Sequence, residues 1–304
     1  MATGTRRAAF EGVADVVVSE RLFATADGLG LSLTRFHRAD CDDVVLLVHG
    51  LAGSREMFTR PGHTNLVSHL LDSGFTDVWT LDHRMSSRLP YNTEGHRFTL
   101  DDVAAYDHPA ALDCLREAVG DRRVHVIAHC LGSVTFLTSL FAGLVDQVAT
   151  VVSNSVSLNP RLSRRALARL RFSPGLAPQI MGMAGSSPNP ARAGGTGGSG
   201  YGRHIRRMAS AERVVKWDEE DPRLPDGLTG LTAVRTPILF LAGSENRVFT
   251  DSNIVTYREL EQAVPGRHGL RILPGYGHAD PFIGRNAHAE VFPHIVDFLN
   301  EKAV

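Results

Sequence analysis

Val124–Gly132 reads VHVIAHCLG, and the helical pattern LGSVTFLTSL continues from Leu131. A short β-branched apolar run therefore ends in a His-Cys pair and passes at once into a helix. Strand, tight turn and helix in immediate succession lift the turn side chain clear of the end of a sheet. Working outward, continuous apolar runs recur at Asp43–Val48 (DVVLLV), Asp77–Leu81, Val148–Val152 and Pro237–Ala242, as expected of strands buried on both faces. Helical patterns separate them at Thr64–Leu71, Leu100–Val119 (capped by Asp101 or Asp102), Leu131–Leu140 and Asp251–Val264. Arg285–Lys302 closes the chain as a helix that Pro293 kinks or breaks. Val13–Phe23 and Leu31–Arg38, joined through Asp27-Gly28, read as paired strands ahead of this alternation. The fold class is α/β, a mostly parallel sheet with helices on both faces.

One segment breaks the rhythm. Residues 154–230 show no strand–helix alternation and contain an arginine-rich helical stretch, Arg161–Phe172, and a Gly/Ser/Pro-rich tract at 184–200. Residues 1–153 and 231–304 are read as the core, and 154–230 as a cap or lid insertion with a flexible tract. An insertion after the C-terminal end of a strand is placed to cover the crevice where open α/β sheets bind ligands.

Composition excludes several functions. Of 304 residues, 43% are hydrophobic and 21% charged, and the formal charge is −1, so neither a disordered chain nor a basic nucleic-acid surface is expected. No apolar run reaches the length of a membrane span. The leading MATGTRRAAFEG has no apolar stretch behind its arginines, so no secretory signal is expected. Cys41, Cys114 and Cys130 are odd in number and show no zinc-like spacing, which argues for a reducing, cytoplasmic setting without disulfides, metal or organic cofactor.

Three loops carry the chemistry. Cys130 occupies the nucleophile position of a G-x-S-x-G-type elbow, with Ala128 at the first glycine position, and the helix N-terminus behind it is expected to lower its pKa. Cys41 and Cys114 read as small apolar residues. His49-Gly50-Leu51 follows the DVVLLV strand, so the N–H groups of Leu51 and Leu131 are candidates for an oxyanion hole, with His49 shaping the loop. His278, in Gly275-Tyr276-Gly277-His278, is the late histidine expected of the order nucleophile, acid, histidine. His129 is expected to pack under the elbow, and Asp280 to be structural. The acid should lie four positions into Gly243-Ser244-Glu245-Asn246, where Asn246 stands. Three arrangements stay open: Asn246 orients His278, Glu245 does so after a one-residue shift, or a third member is missing. A thiol titrates well below an alcohol, so an amide that only fixes the imidazole ring can suffice.

The motifs HGLAGS (49–54), VIAHCLGS (126–133), LFLAGSENRVF (239–249) and GYGHADPFIG (275–284), in this order, resemble the α/β-hydrolase superfamily. Phe98–Leu115 and HADPFIG are similar to the acid-lipase branch. VIAHCLGS with VVSNSVSLNP, and ENRVFTDSN with GYGHADPFIGRNA, resemble the hydrolase-like domains that accompany cholesterol-oxidase-type flavoproteins. The likeness covers about Asp43–Pro160 and Thr236–Leu299, leaving out the insertion. Cys at the nucleophile and Asn at the acid position recur in that last group, which the resemblance carries onto Cys130 and Asn246. No G-x-G-x-x-G follows the early strands, so a stand-alone relative without a flavin part is expected. Asp82–Arg88 (DHRMSSR) departs from the Arg-Gly that often follows this strand.

These readings imply an acyl-transfer enzyme that forms a thioester on Cys130 from an ester or thioester of a lipophilic, small-molecule or carrier-bound acyl substrate. The outcome would be hydrolysis, transfer or cyclisation. The alternative is a non-catalytic pseudo-hydrolase that binds a small lipophilic ligand.

Overall fold

The structure, a computed structural model, describes residues 12–89, 92, 98–172, 200–224 and 234–302. Strands β1 (Val17–Ala24), β2 (Gly30–His37), β3 (Asp43–Val48), β4 (Asp77–Asp82), β5 (Arg123–His129), β6 (Val148–Asn154), β7 (Ile238–Gly243) and β8 (Gly269–Leu273) form one eight-stranded sheet. Its spatial order is β1-β2-β4-β3-β5-β6-β7-β8. β2 runs antiparallel to both neighbours, and every pairing from β4 to β8 is parallel. The helices are α1 (Leu66–Asp72), α2 (Leu100–Asp102), α3 (His108–Val119), α4 (Leu131–Phe141), α5 (Arg164–Phe172), α6 (Gly200–Ala211), α7 (Ser252–Ala263), α8 (Asp280–Ile283), α9 (Ala287–Glu290) and α10 (Phe292–Lys302).

The apolar runs become central strands because both faces of the sheet are covered. Val44, Leu46 and Val48 of β3 join Val126 and Ala128 of β5 in one apolar layer, while Val45, Leu47 and Ile127 join the other. Sequence reading misplaced some boundaries for local reasons. Thr99, not Asp101 or Asp102, caps α2, in a reciprocal capping box with Asp102. Of the two alternatives for the closing helix, a kink or a break, the structure has the break. The break falls at Val291, and Pro293 sits in the first turn of α10, where its missing N–H costs little. A π turn at Val103–Asp107 joins α2 to α3.

Between β6 and β7 the described residues form α5 and α6 rather than strands. The start of this segment is tied to the core: Leu162 bridges Phe249, and Thr250 N donates to the Arg161 carbonyl. The far part packs on α2, where Tyr201 stacks on Phe98 at 5.5 Å and Trp217 N donates to Asp101. Most of the Gly-rich tract expected to be flexible lies outside the described residues.

Two glycines set how closely the loops after β3 and β5 approach. A Cβ on Gly50 would stand 2.6 Å from Cys130 Cβ, and one on Gly132 would run into the His49 carbonyl oxygen. The latter neighbour is backbone and cannot rotate away. Gly132→Ala should therefore lower stability by about 1–3 kcal/mol, the usual range for overpacking a buried site. Denaturant unfolding checks this as a lower midpoint at unchanged slope; an unchanged midpoint would contradict the close approach.

Candidate active site

Cys130 sits at the turn between β5 and α4 with φ 53° and ψ −130°, a conformation rare for a side chain-bearing residue. Its N–H donates to the Asn154 carbonyl on the neighbouring strand, and its carbonyl accepts from Ser133 and Val134 as α4 begins. The turn is thus held from both ends, and it delivers Sγ to the N–H groups of Leu131 and Leu51, which both hydrogen-bond the sulfur. The two residues read as oxyanion donors lie on either side of the same atom.

The loop that carries Leu51 is braced by the segment after β4. Ala52 N donates to the Met85 carbonyl, and Ser87 N donates to the Gly53 carbonyl. His83 Nε2 donates to the His49 carbonyl at 2.9 Å, and its ring stacks on His49 at 4.0 Å. His49 Nδ1 lies 2.7 Å from the Gly50 carbonyl, which can only accept, so the proton of this imidazole is on Nδ1. The adjacent Arg84, buried in the fold, is clamped by Asp27 and Asp107. The unusual DHRMSSR stretch thus forms a bracket for the His-Gly loop.

His278 follows β8 and is brought to Cys130 and His129; one donor atom from each of the three lies within 4.8 Å of the others. Its ring packs at 5.0 Å from the ring of His129 and 5.7 Å from that of Phe249, and neither ring nitrogen has a hydrogen-bond partner among the described residues. The loop itself is anchored through the backbone, because Ser155 Oγ donates to the His278 carbonyl. Asp280 Oδ2 accepts from Gly277 N at 2.8 Å and so serves the loop's structure.

The structure does not bring Asn246 or Glu245 to the His278 ring nitrogens. Asn246 Oδ1 accepts from the N–H groups of Val248 and Phe249, closing a turn, and its Nδ2 donates to the Ser155 carbonyl at 3.1 Å. Asn246 therefore reaches His278 only through Ser155 and the backbone. Glu245 is exposed and lies 3.5 Å from Arg247.

Burial governs the protonation of this site. It pushes the Cys130 thiol up to about 12, against the opposing effect of the Leu131 and Leu51 N–H groups. It pushes His278 down to about 4, and His129 well below the ordinary histidine range, with the neighbouring His278 and His49 adding to the shift. The Leu131 N–H at the helix terminus does lower the Cys130 pKa, as the sequence suggested, but loss of hydration outweighs it and the net direction is upward. At rest the pair is a neutral thiol beside a neutral imidazole.

Two contributors lay outside the sequence reading: Asn154 and Ser155, at the C-terminal end of β6. The side-chain amide of Asn154 lies 2.9 Å from His129 Nδ1, and Ser155 holds a positive φ of 77°. A polar Asn-Ser pair ending a buried apolar strand was the available signal, since ligands bind beyond the carboxyl ends of such strands. Cys41 and Cys114 are half-buried and unbridged, away from this cluster.

Against known proteins, the chain is similar in sequence to human lipase member K, at 23% identity over 353 aligned positions that cover 91% of this chain and 86% of the lipase. It is 27% identical to human gastric triacylglycerol lipase over 143 positions, covering 43% of this chain and only 35% of that protein. In fold it resembles an esterase of Pyrococcus furiosus (TM-score 0.63, 17% identity, 95% of this chain and 92% of that one). It equally resembles a carboxyl esterase of Bacillus coagulans (TM-score 0.64, 16% identity, 94% and 99%). The alpha/beta hydrolase family model matches residues 45–292. With most of β3, the elbow, the His278 loop and strands β4 to β8 inside that match, the chain belongs to the alpha/beta hydrolase family.

Proposed function

We propose that this protein is a hydrolase of the lipase/esterase type that works by acyl transfer through a thioester on Cys130, with His278 as its proton carrier. The observation that carries the reading is the convergence of the Leu51 and Leu131 N–H groups on Sγ beside a histidine whose ring nitrogens are unengaged. An ester or thioester carbonyl placed above Sγ would have its oxygen within reach of those two donors. As Sγ attacks the carbonyl carbon, its proton passes to His278, and the developing oxyanion takes over the N–H groups that solvate the sulfur at rest. Collapse of the tetrahedral intermediate breaks the bond to the leaving group, which receives the proton from His278. Water, an alcohol, an amine or a second thiol then attacks the acyl-Cys130 thioester, giving hydrolysis or transfer. The lipase relatives favour a lipophilic acyl chain on a small-molecule or carrier-bound substrate, with residues 154–230 acting as its cap. The likeness of the Cys130 and Asn246 loops to flavoprotein-associated hydrolase-like domains belongs to the same proposal.

One observation favours the second reading, a pseudo-hydrolase that only binds a lipophilic ligand. Neither ring nitrogen of His278 is held, and Asn246 and Glu245 are engaged elsewhere. Intact mass after incubation with acyl-thioesters of increasing chain length separates the two. The expected result is one acyl adduct, mapped to Cys130. Absence of an adduct, or equal labelling of Cys41 and Cys114, would sink the enzyme reading.

The neutral pair also sets the pH dependence. His278 must be unprotonated to accept the thiol proton, and burial holds it at about 4. Activity should therefore persist through pH 5–6 and fall only as the pH drops toward about 4. A kcat/KM profile with its acid limb near the ordinary histidine value, 6.5, would show that His278 is not the base.

As a positioning residue, Asn246 should act on kcat more than on KM. Asn246→Ala removes the turn and the Ser155 link and should slow turnover roughly tenfold or more, whereas Glu245→Ala, at an exposed pair, should leave it within about twofold. Steady-state kinetics of both variants checks this, and the reverse ranking would make Glu245 the orienting acid.

A further inference from the structure

We propose that Cys130, His129 and His278 also form a binding site for a soft divalent cation of the zinc and cadmium class, whose occupation ties up the sulfur and the imidazole that acyl transfer needs. The sequence spacing shows no such site, because two donors are adjacent in the chain and the third comes from a loop far along it. The tertiary structure places a thiol and two imidazoles, all buried, with one donor atom each inside 4.8 Å. A zinc centre has Zn–S near 2.3 Å and Zn–N near 2.0–2.1 Å, which puts tetrahedral donors about 3.5 Å apart. The required contraction is at most about 1.3 Å, and the His278 ring breaks no hydrogen bond to a described residue in making it.

The donor set is chemically selective. Thiolate with imidazole favours zinc, cadmium and copper over magnesium and calcium, and no carboxylate belongs to the cluster. His129 has its Nδ1 beside the Asn154 side-chain amide at 2.9 Å, while its Nε2 and the Asn154 Oδ1 have no partner among the described residues. With that amide turned so that its oxygen accepts from Nδ1–H, the Nε2 lone pair becomes the free donor. This is the supporting hydrogen bond that metal-bound histidines usually carry. Binding replaces the S–H bond of Cys130 with a sulfur–metal bond and releases one proton to solvent; no electron is transferred. The fourth coordination position is left to water. The effect on turnover rests on the acyl-transfer reading, whereas cation binding does not.

The test is a Cd2+ titration of the full chain carrying C41S and C114S, followed by the ultraviolet thiolate-to-cadmium charge-transfer band. The band should saturate at one ion per chain and be absent in Cys130→Ala. His129→Gln and His278→Gln should each weaken binding at least tenfold, and Asn154→Leu by about 10–100-fold, as for other residues that support a metal ligand. A band that survives Cys130→Ala, or unchanged affinity in both histidine variants, overturns the proposal. A second measurement needs no variant: in the wild-type chain, saturating Zn2+ should block alkylation of Cys130 while Cys41 and Cys114 still react. Alkylation of Cys130 at an unchanged rate overturns the site. A Cys130 acyl adduct without Cd2+ binding would refute this site alone, and Cd2+ binding without an adduct would refute the acyl-transfer reading alone.

Discussion

The close approach of two backbone turns is the constraint on which the rest of the molecule depends. The loop after β3 and the elbow after β5 meet so tightly that neither Gly50 nor Gly132 has room for a side chain. That contact brings an N–H from each turn to the Cys130 sulfur. Parallel pairing of β3 with β5, in register from Asp43–Arg123 to Val48–Ala128, ends both strands at one level, so the turns emerge side by side. The apolar layers on both faces keep that register, since a slip of one residue would turn every buried side chain to the opposite face.

Bracing of the His-Gly loop shows how a departure from a family pattern can be structurally sound. Where Arg-Gly is common after β4, this chain has His83-Arg84-Met85. His83 stacks on His49 and holds its carbonyl, the Met85 carbonyl accepts from Ala52, and Arg84 is fixed by two aspartates. On the other side of the elbow, Asn246, Ser155 and the His278 carbonyl form a second chain of hydrogen bonds that shapes the histidine loop from behind. The site is thus held by its backbone, while the His278 ring rests among His129 and Phe249 without a polar restraint from the described residues. That freedom suits the proposed role of moving a proton between a thiol and a leaving group.

Cysteine changes what burial means here. A serine site of this shape uses a carboxylate to stabilise the imidazolium it creates. In this chain the thiol and imidazole are both kept neutral by loss of water, and in the proposed acyl transfer charge would develop only as a substrate carbonyl receives it. Neutral imidazoles beside a thiol are at the same time good ligands for a soft cation, so one arrangement serves both the proposed chemistry and its proposed inhibition.

Strand identity, the elbow, the His-Gly loop and the late histidine were legible in the sequence because each rests on a local pattern: an apolar run, a small residue at a turn, a His flanked by glycine. Even the asparagine at the acid position could be located by counting from β7. What that asparagine does was decided only in three dimensions, because Val248, Phe249 and Ser155 take up its amide. The same holds for the ionisation of Cys130. Its helix terminus is visible in the sequence, but the depth of its burial is a property of the whole packed sheet, and burial is the larger effect. The grouping of His129 with His278, and the support that Asn154 lends it, likewise exist only once β5, β6 and β8 end on one edge of the folded sheet, since sequence order carries no information about which strand ends come together.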